Sequence, residues 1–209
     1  TTLIRNILKK ASGKRIALII NEFGDLGIDR ELLTSCGVEG CEDENIIELA
    51  NGCICCTVAD DFLPTMERLL DQENPPEHIV IETSGLALPK PLVKAFNWPE
   101  IRARLTVDGV VAVIDSAAVA EGRFADDEKS ITAGLDKGSI LDHDNPLEEV
   151  FEDQVSCADL IVLNKADIVG QEGISEIAKG IAGQMRAGVK TISSVEGDID
   201  VAILLGIGS

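Results

Sequence analysis

Leu160-Ile161-Val162-Leu163-Asn164-Lys165-Ala166-Asp167 is the stretch that decides the fold. Four apolar residues in unbroken succession, stopped by a polar one, fit a strand covered on both faces, because a strand with one wet face would alternate. The same shape recurs at Ile16-Ala17-Leu18-Ile19-Ile20 before Asn21, and at Ile79-Val80-Ile81 before Glu82. It appears again at Val110-Val111-Ala112-Val113-Ile114 before Asp115, and more weakly from Val189 to Ile192 before Ser193. Segments with helical spacing lie between these runs. Leu3, Ile4, Ile7, Leu8 and Ala11 form one, ended by Gly13; Thr65 to Leu70, Pro91 to Arg104, Leu147 to Ala158 and Ile174 to Arg186 form others. Strands alternating with helices predict an α/β fold, a mainly parallel sheet between two helical layers. In such sheets ligands gather at the carboxyl ends of the strands, where the polar residues fall.

The 209 residues suffice for one such domain with a core, and 45% of them are hydrophobic. A formal net charge of −19 repels phosphate backbones and anionic lipid, so nucleic acid and membrane surfaces are not expected partners. No run of eighteen apolar residues occurs. Six cysteines, Cys36, Cys41, Cys53, Cys55, Cys56 and Cys157, stand in a domain of this size, which points to a reduced, cytoplasmic setting and to metal or redox chemistry rather than crosslinking. Glu121 to Asn145 is charged and poorly periodic, and is expected to be a mobile surface insertion.

Asn164-Lys165-Ala166-Asp167 follows its strand directly. Guanine offers two adjacent donors, N1–H and the exocyclic amine, and one carboxylate can accept both. Adenine has no such pair and would leave polar groups unsatisfied. Lys165 can lay its stem along the base, and Asn164 can anchor the loop and meet the guanine carbonyl. A helix N-cap at Asp167 is the plain alternative. At His78-Ile79-Val80-Ile81-Glu82-Thr83-Ser84-Gly85 a strand ends in an acid with Gly three residues on. In P-loop GTPases such an acid holds Mg²⁺, usually through water, and the Gly N–H meets the γ-phosphate; an ordinary strand and turn would look similar. A Gly-rich phosphate turn with its Lys should precede a helix opening in Ser or Thr. No such turn occurs, but a helix opens at Thr1-Thr2, so the Gly-rich turn and its Lys are expected upstream of Thr1, and Thr1 is expected to supply the hydroxyl to Mg²⁺.

Gly52-Cys53-Ile54-Cys55-Cys56-Thr57 brings three thiols within four residues. As thiolates they suit Zn²⁺ or Co²⁺ with one further donor, for which Asp25 and His143 are candidates. A structural zinc knuckle including Cys36 and Cys41, or a redox thiol pair, remains open; adjacent cysteines form strained bridges, which disfavours the latter. Cys157 lies on the apolar face of a helix and reads as a small core residue. The segment Asn21-Glu22-Phe23-Gly24-Asp25-Leu26-Gly27 has the form of a loop able to rearrange, either a switch element or a plain strand-to-helix connection.

These pieces resemble the CobW family of GTP-dependent metallochaperones. The matching stretches are Thr1 to Arg5, Asn21 to Asp29, Gly52 to Thr57, Glu82 to Ala87 and Asn164 to Asp167. The resemblance implies the P-loop NTPase three-layer αβα fold over residues 1–209, incomplete at the N-terminus and without the family's smaller C-terminal domain. It implies a cycle in which Mg²⁺-GTP tightens metal binding at Cys53, Cys55 and Cys56, and hydrolysis releases the ion to a client protein. By position, Thr1, Thr2, Glu82 and Gly85 serve phosphate and Mg²⁺, Asn164, Lys165 and Asp167 serve guanine, Asp25 is a switch-loop carboxylate, and Glu22 positions water. Cys36 to Asp43 and Leu141 to Asp144 look most like the branch tied to cobalamin synthesis, which implies Co²⁺ as cargo and a cobaltochelatase as client; Zn²⁺ is the sister reading. With the phosphate turn missing, the stretch 1–209 is expected to be inactive by itself. A third reading is a non-catalytic nucleotide-binding domain with a structural zinc.

Overall fold

The structure is a computed structural model, and it describes residues 2–11, 13–21, 46–48, 62–83, 85, 87–123 and 146–207. The chain divides into two compact units, residues 1–108 with 199–209, and residues 109–198.

The first unit opens with α1 (Thr2–Lys10), whose Ile4 and Ile7 are buried at helical spacing, as the sequence predicts. Strand β1 (Ile16–Asn21) follows and pairs in parallel with β2 (Ile46–Glu48) on one side and β3 (His78–Thr83) on the other. Leu18, Ile19 and Ala17 are fully buried, so β1 is covered on both faces, which is what its unbroken apolar run requires. β3 is half-buried along its whole length and stands last in the strand order among the described residues. α2 (Leu63–Leu70) and α3 (Pro89–Ala95) supply the helical side of the core. There Ala17, Ile19, Phe62, Met66, Leu69, Leu92, Ala95 and Ile101 pack together, and the Phe62 and Phe96 rings meet edge to face at 5.2 Å.

The single helix expected from Pro91 to Arg104 is two: α3, then α4 (Pro99–Arg102). Pro99 is the cause. Its ring keeps the preceding residue out of the helical region, and Trp98 is extended at φ −63°, ψ 139°. β2 has no counterpart in the sequence reading, its apolar pair being too short to mark a strand.

The second unit holds β4 (Val111–Asp115), α5 (Ser116–Ala120), α6 (Pro146–Cys157), β5 (Leu160–Asn164), α7 (Ala166–Ile181) and β6 (Lys190–Ser193). Its sheet runs β4-β5-β6, all parallel, with Asp115 beside Asn164 and Leu163 beside Ser193. β5 is central among the described strands and its Leu160 to Leu163 are buried, whereas β4 leaves Val113 half exposed. Ile114, Val155, Ala158, Ile161, Leu163, Ile174, Ile177 and Ile181 form the core.

α7 begins eight residues before the helix expected at Ile174 and ends at Ile181 rather than Arg186. Gly170, at φ 69° and ψ 176°, interrupts it, and the buried residues Ile174, Ile177 and Ile181 all lie in the part after it. Cys157 closes α6 half-buried, at the rim of the core rather than within it. The expected insertion lies outside the described residues from 124 to 145. A last short helix, α8 (Val201–Leu204), belongs to the first unit and is capped by Asp200, whose Oδ1 accepts the Ala202 N–H at 2.9 Å.

Candidate guanine-nucleotide site

The carboxyl end of β5 turns abruptly into α7. Lys165 makes the turn in the left-handed region, at φ 60° and ψ 36°, and stands at the N-cap without capping the helix through its side chain. A non-glycine residue held there costs about 1–3 kcal/mol, which the surrounding bonds must offset. They are several. The Ala166 N–H donates to the Ser194 carbonyl at 3.0 Å, and the Ser194 N–H donates to the Leu163 carbonyl at 2.9 Å. Asn164 Oδ1 accepts from Ser194 Oγ and from the Gly197 N–H, both at 2.9 Å. The backbone N–H of Gly197 can only donate, so it fixes which end of the Asn164 amide is oxygen.

The strand-end Asn therefore staples the loop after β6 to the loop after β5. The stapled loop is itself tight. Glu196 and Gly197 both have positive φ, 50° and 63°, and the Asp198 N–H returns to the Val195 carbonyl at 2.9 Å, the pattern of a type I′ turn. Ser194 is 4% exposed, so its two backbone bonds and its hydroxyl bond are shielded from water.

Asp167 lies in the first turn of α7, exposed. The plain alternative made it the helix N-cap, but that position belongs to Lys165, and Asp167 caps nothing. The Lys165 ammonium forms an ion pair with Asp115 Oδ2. The other oxygen of Asp115 accepts the Ala117 and Ala118 N–H groups at 3.0 and 3.1 Å, capping α5. Asp115, Ser194 and Gly197 were missed as site residues. The strand-end position of Asp115 and the Ser-Ser-Val-Glu-Gly run after β6 were the available signals.

In the first unit, Glu82 sits one residue before the end of β3, half-buried, with Oε2 shielded from solvent. In register it stands beside Ile20 of β1, and Thr83 beside Asn21, so β1 and β3 end side by side at the carboxyl end of this sheet. Gly85 is exposed, two residues past β3. Thr2 is exposed at the start of α1. Thr1, Glu22, Asp25, Cys36, Cys41, Cys53, Cys55, Cys56 and His143 lie outside the described residues. Among the described residues no group of three His, Cys, Asp or Glu side chains gathers as a metal site, and no helix is long and apolar enough to cross a membrane.

Parallel strands with helices, and an Asn-Lys-Ala-Asp loop at the carboxyl end of a central strand, fit a nucleotide-binding α/β domain of the P-loop GTPase class. A sequence model described as CobW/HypB/UreG, nucleotide-binding domain, matches residues 1–193, and the chain belongs to that family. It is 57% identical over 208 residues to a protein of a Sinorhizobium species named zinc chaperone CobW, covering 100% of this chain and 59% of that one. It is 48% identical to the zinc chaperone CobW of Pseudomonas aeruginosa, covering 100% of this chain and 56% of the relative. Among solved structures it resembles the Zn(II)-bound YjiA GTPase of Escherichia coli with a TM-score of 0.61 at 22% identity, covering 99% of this chain and 57% of that one; this likeness bears on the fold. The chain thus spans just over half the length of these relatives.

Proposed function

We propose that this chain is the guanine-nucleotide part of a metallochaperone that couples GTP hydrolysis to the hand-over of a transition ion. Asp167 carries the nucleotide half of the reading: an exposed carboxylate that caps no helix, beside a Lys and an Asn already held in place. A carboxylate accepts both guanine donors but meets an acceptor on adenine. Sites built to bond a polar pair reject analogues lacking it by on the order of 10⁴-fold. Asn164 spends its oxygen on the protein, which leaves its NH₂ group as the donor for the guanine carbonyl. The Lys165 stem covers the purine face.

The donor set fits Mg²⁺ as well. Glu82 offers a hard carboxylate oxygen at a strand end, the chemistry Mg²⁺ takes through one or two carboxylates and water. Thr1 and Thr2 supply hydroxyls toward phosphate and Mg²⁺, the Gly85 N–H meets the γ-phosphate, Glu22 positions the attacking water and Asp25 reports phosphate state to the metal loop. When bound, Mg²⁺ neutralises charge on the transferring phosphoryl group.

The cargo rests on Cys53, Cys55 and Cys56, whose thiolates suit a tetrahedral Zn²⁺. The names of the two CobW relatives support zinc. The second reading, Co²⁺ delivered to a cobaltochelatase, is favoured by the segments Cys36 to Asp43 and Leu141 to Asp144 and by the same thiolate set.

The test is a metal titration of the full-length protein with Mg²⁺-GTP, Mg²⁺-GDP or no nucleotide. Zn²⁺ should bind about 5- to 150-fold more tightly with GTP than with GDP, and Co²⁺ should give sulfur-to-cobalt absorption that Cys55→Ala removes. Equal affinity in all three states would overturn the chaperone reading in favour of a structural zinc.

A further inference from the structure

We propose that Asp115 positions Lys165 for guanine-nucleotide binding, an inference that rests on the guanine reading of residues 164–167. Asp115 ends β4 and is the register partner of Asn164, so the two strand ends that launch α5 and α7 lie side by side. Its carboxylate is divided between two tasks. Oδ1 takes the Ala117 and Ala118 N–H groups, and Oδ2 takes the Lys165 ammonium.

The capping half immobilises the carboxylate. Two backbone donors hold it, and the first turn of α5 is packed, with Ser116 at 0% and Ala118 at 1% exposure. The ammonium is thus tethered to a fixed point. Side-chain exposures of 22% for Asp115 and 38% for Lys165 place the pair apart from fully solvated surface bridges, which contribute little.

A lysine free to rotate would have to be immobilised when its stem covers a base, at a cost in rotamer entropy. Tethering the head beforehand removes that cost, and it also keeps the ammonium at the strand ends while the methylenes span the distance from the left-handed Lys165 backbone. The pair spans fifty positions of sequence, so nothing local to the Asn-Lys-x-Asp element would supply it.

A purely structural role, capping α5, predicts something different. Asp115→Asn keeps an oxygen for the Ala117 and Ala118 N–H groups, and Asn caps helices as well as Asp does. If capping were all, this variant would resemble the wild type. If Asp115 acts through Lys165, Asp115→Asn weakens GDP and GTP to a similar degree, on the order of tenfold, while Asp115→Ala also lowers the melting temperature.

The experiment is a double-mutant cycle in the full-length protein, with GDP dissociation constants for wild type, Asp115→Asn, Lys165→Met and the pair. The result expected is that Asp115→Asn costs affinity in the wild-type background and nothing further beside Lys165→Met. Additive losses, or wild-type affinity in Asp115→Asn, would overturn the positioning role and leave the guanine reading standing. A wild-type protein that binds no guanine nucleotide would overturn both.

Discussion

Asn164 and Gly197, thirty-three residues apart, are joined by a 2.9 Å hydrogen bond from the Gly197 backbone to the Asn164 side-chain oxygen. The same oxygen takes the Ser194 hydroxyl, so a single atom binds the loop after β6 to the end of β5. Replacing it leaves a shielded N–H and a buried hydroxyl with lost partners, and each such loss costs about 1–3 kcal/mol. Asn164→Ala is therefore expected to destabilise the domain by an amount in that range in urea unfolding, to speed exchange of the Gly197 amide, and to weaken guanine nucleotides. An unchanged Gly197 exchange rate would mean that the bond does not hold the loop in solution.

Asp167 is expected to set base preference without supporting the fold, since it is exposed and caps nothing. Asp167→Asn turns one acceptor into a donor, which suits the additional carbonyl of xanthine and opposes the guanine amine. The variant should keep the wild-type stability within about 0.5 kcal/mol, lose GDP affinity and gain xanthosine diphosphate affinity in competition binding. Undiminished GDP affinity would remove Asp167 from the base site.

Much of this architecture is legible in the sequence because burial on both faces leaves a mark that needs no partner to be known. The runs at Ile16 and Leu160 became the central strands β1 and β5. The runs at Ile79 and Val110 also became strands, but the same apolar pattern could not reveal which strands pair with which, because neighbour order is a property of topology. β2 stayed hidden because Ile46-Ile47 is too short a run. The two-part helix around Trp98 was readable in principle from Pro99. The Asp115–Lys165 pair was not readable, since its members are fifty positions apart and each has an ordinary local role, strand end and loop. The Asn-Lys-x-Asp loop could be located because its residues occupy four consecutive positions at a strand end; its guanine role is the proposal made above.

Gly170 separates the first turn of α7, which carries Asp167, from the amphipathic length that buries Ile174, Ile177 and Ile181. Its φ of 69° with ψ of 176° is a region that only glycine enters at low cost. There is room for a methyl group, because a Cβ built there meets nothing within 4 Å, so the penalty is conformational rather than steric. Gly170→Ala should destabilise the domain by about 1–3 kcal/mol, read from urea unfolding, and should shift nucleotide affinity by re-aiming Asp167. A variant more stable than the wild type would mean that α7 runs unbroken.

Glu82 offers the sharpest separation between binding and chemistry. It sits one residue before the end of β3 with one carboxylate oxygen shielded, and a neutral amide of the same shape can replace it without opening a cavity. If its negative charge orients water on Mg²⁺, Glu82→Gln loses that orientation, and partners acting on a metal through water are typically worth 10- to 100-fold. The full-length variant should hydrolyse GTP more slowly by roughly that factor, with part of the loss recovered at raised Mg²⁺, while GDP measured without Mg²⁺ binds as in the wild type because the proposed base site at Asn164, Lys165 and Asp167 is untouched. Phosphate release followed across a Mg²⁺ series, beside GDP titration in chelator, makes the comparison. Hydrolysis at the wild-type rate throughout the series would take the Mg²⁺ role away from Glu82, and equal loss of GDP affinity in chelator would show that the substitution disturbs the fold.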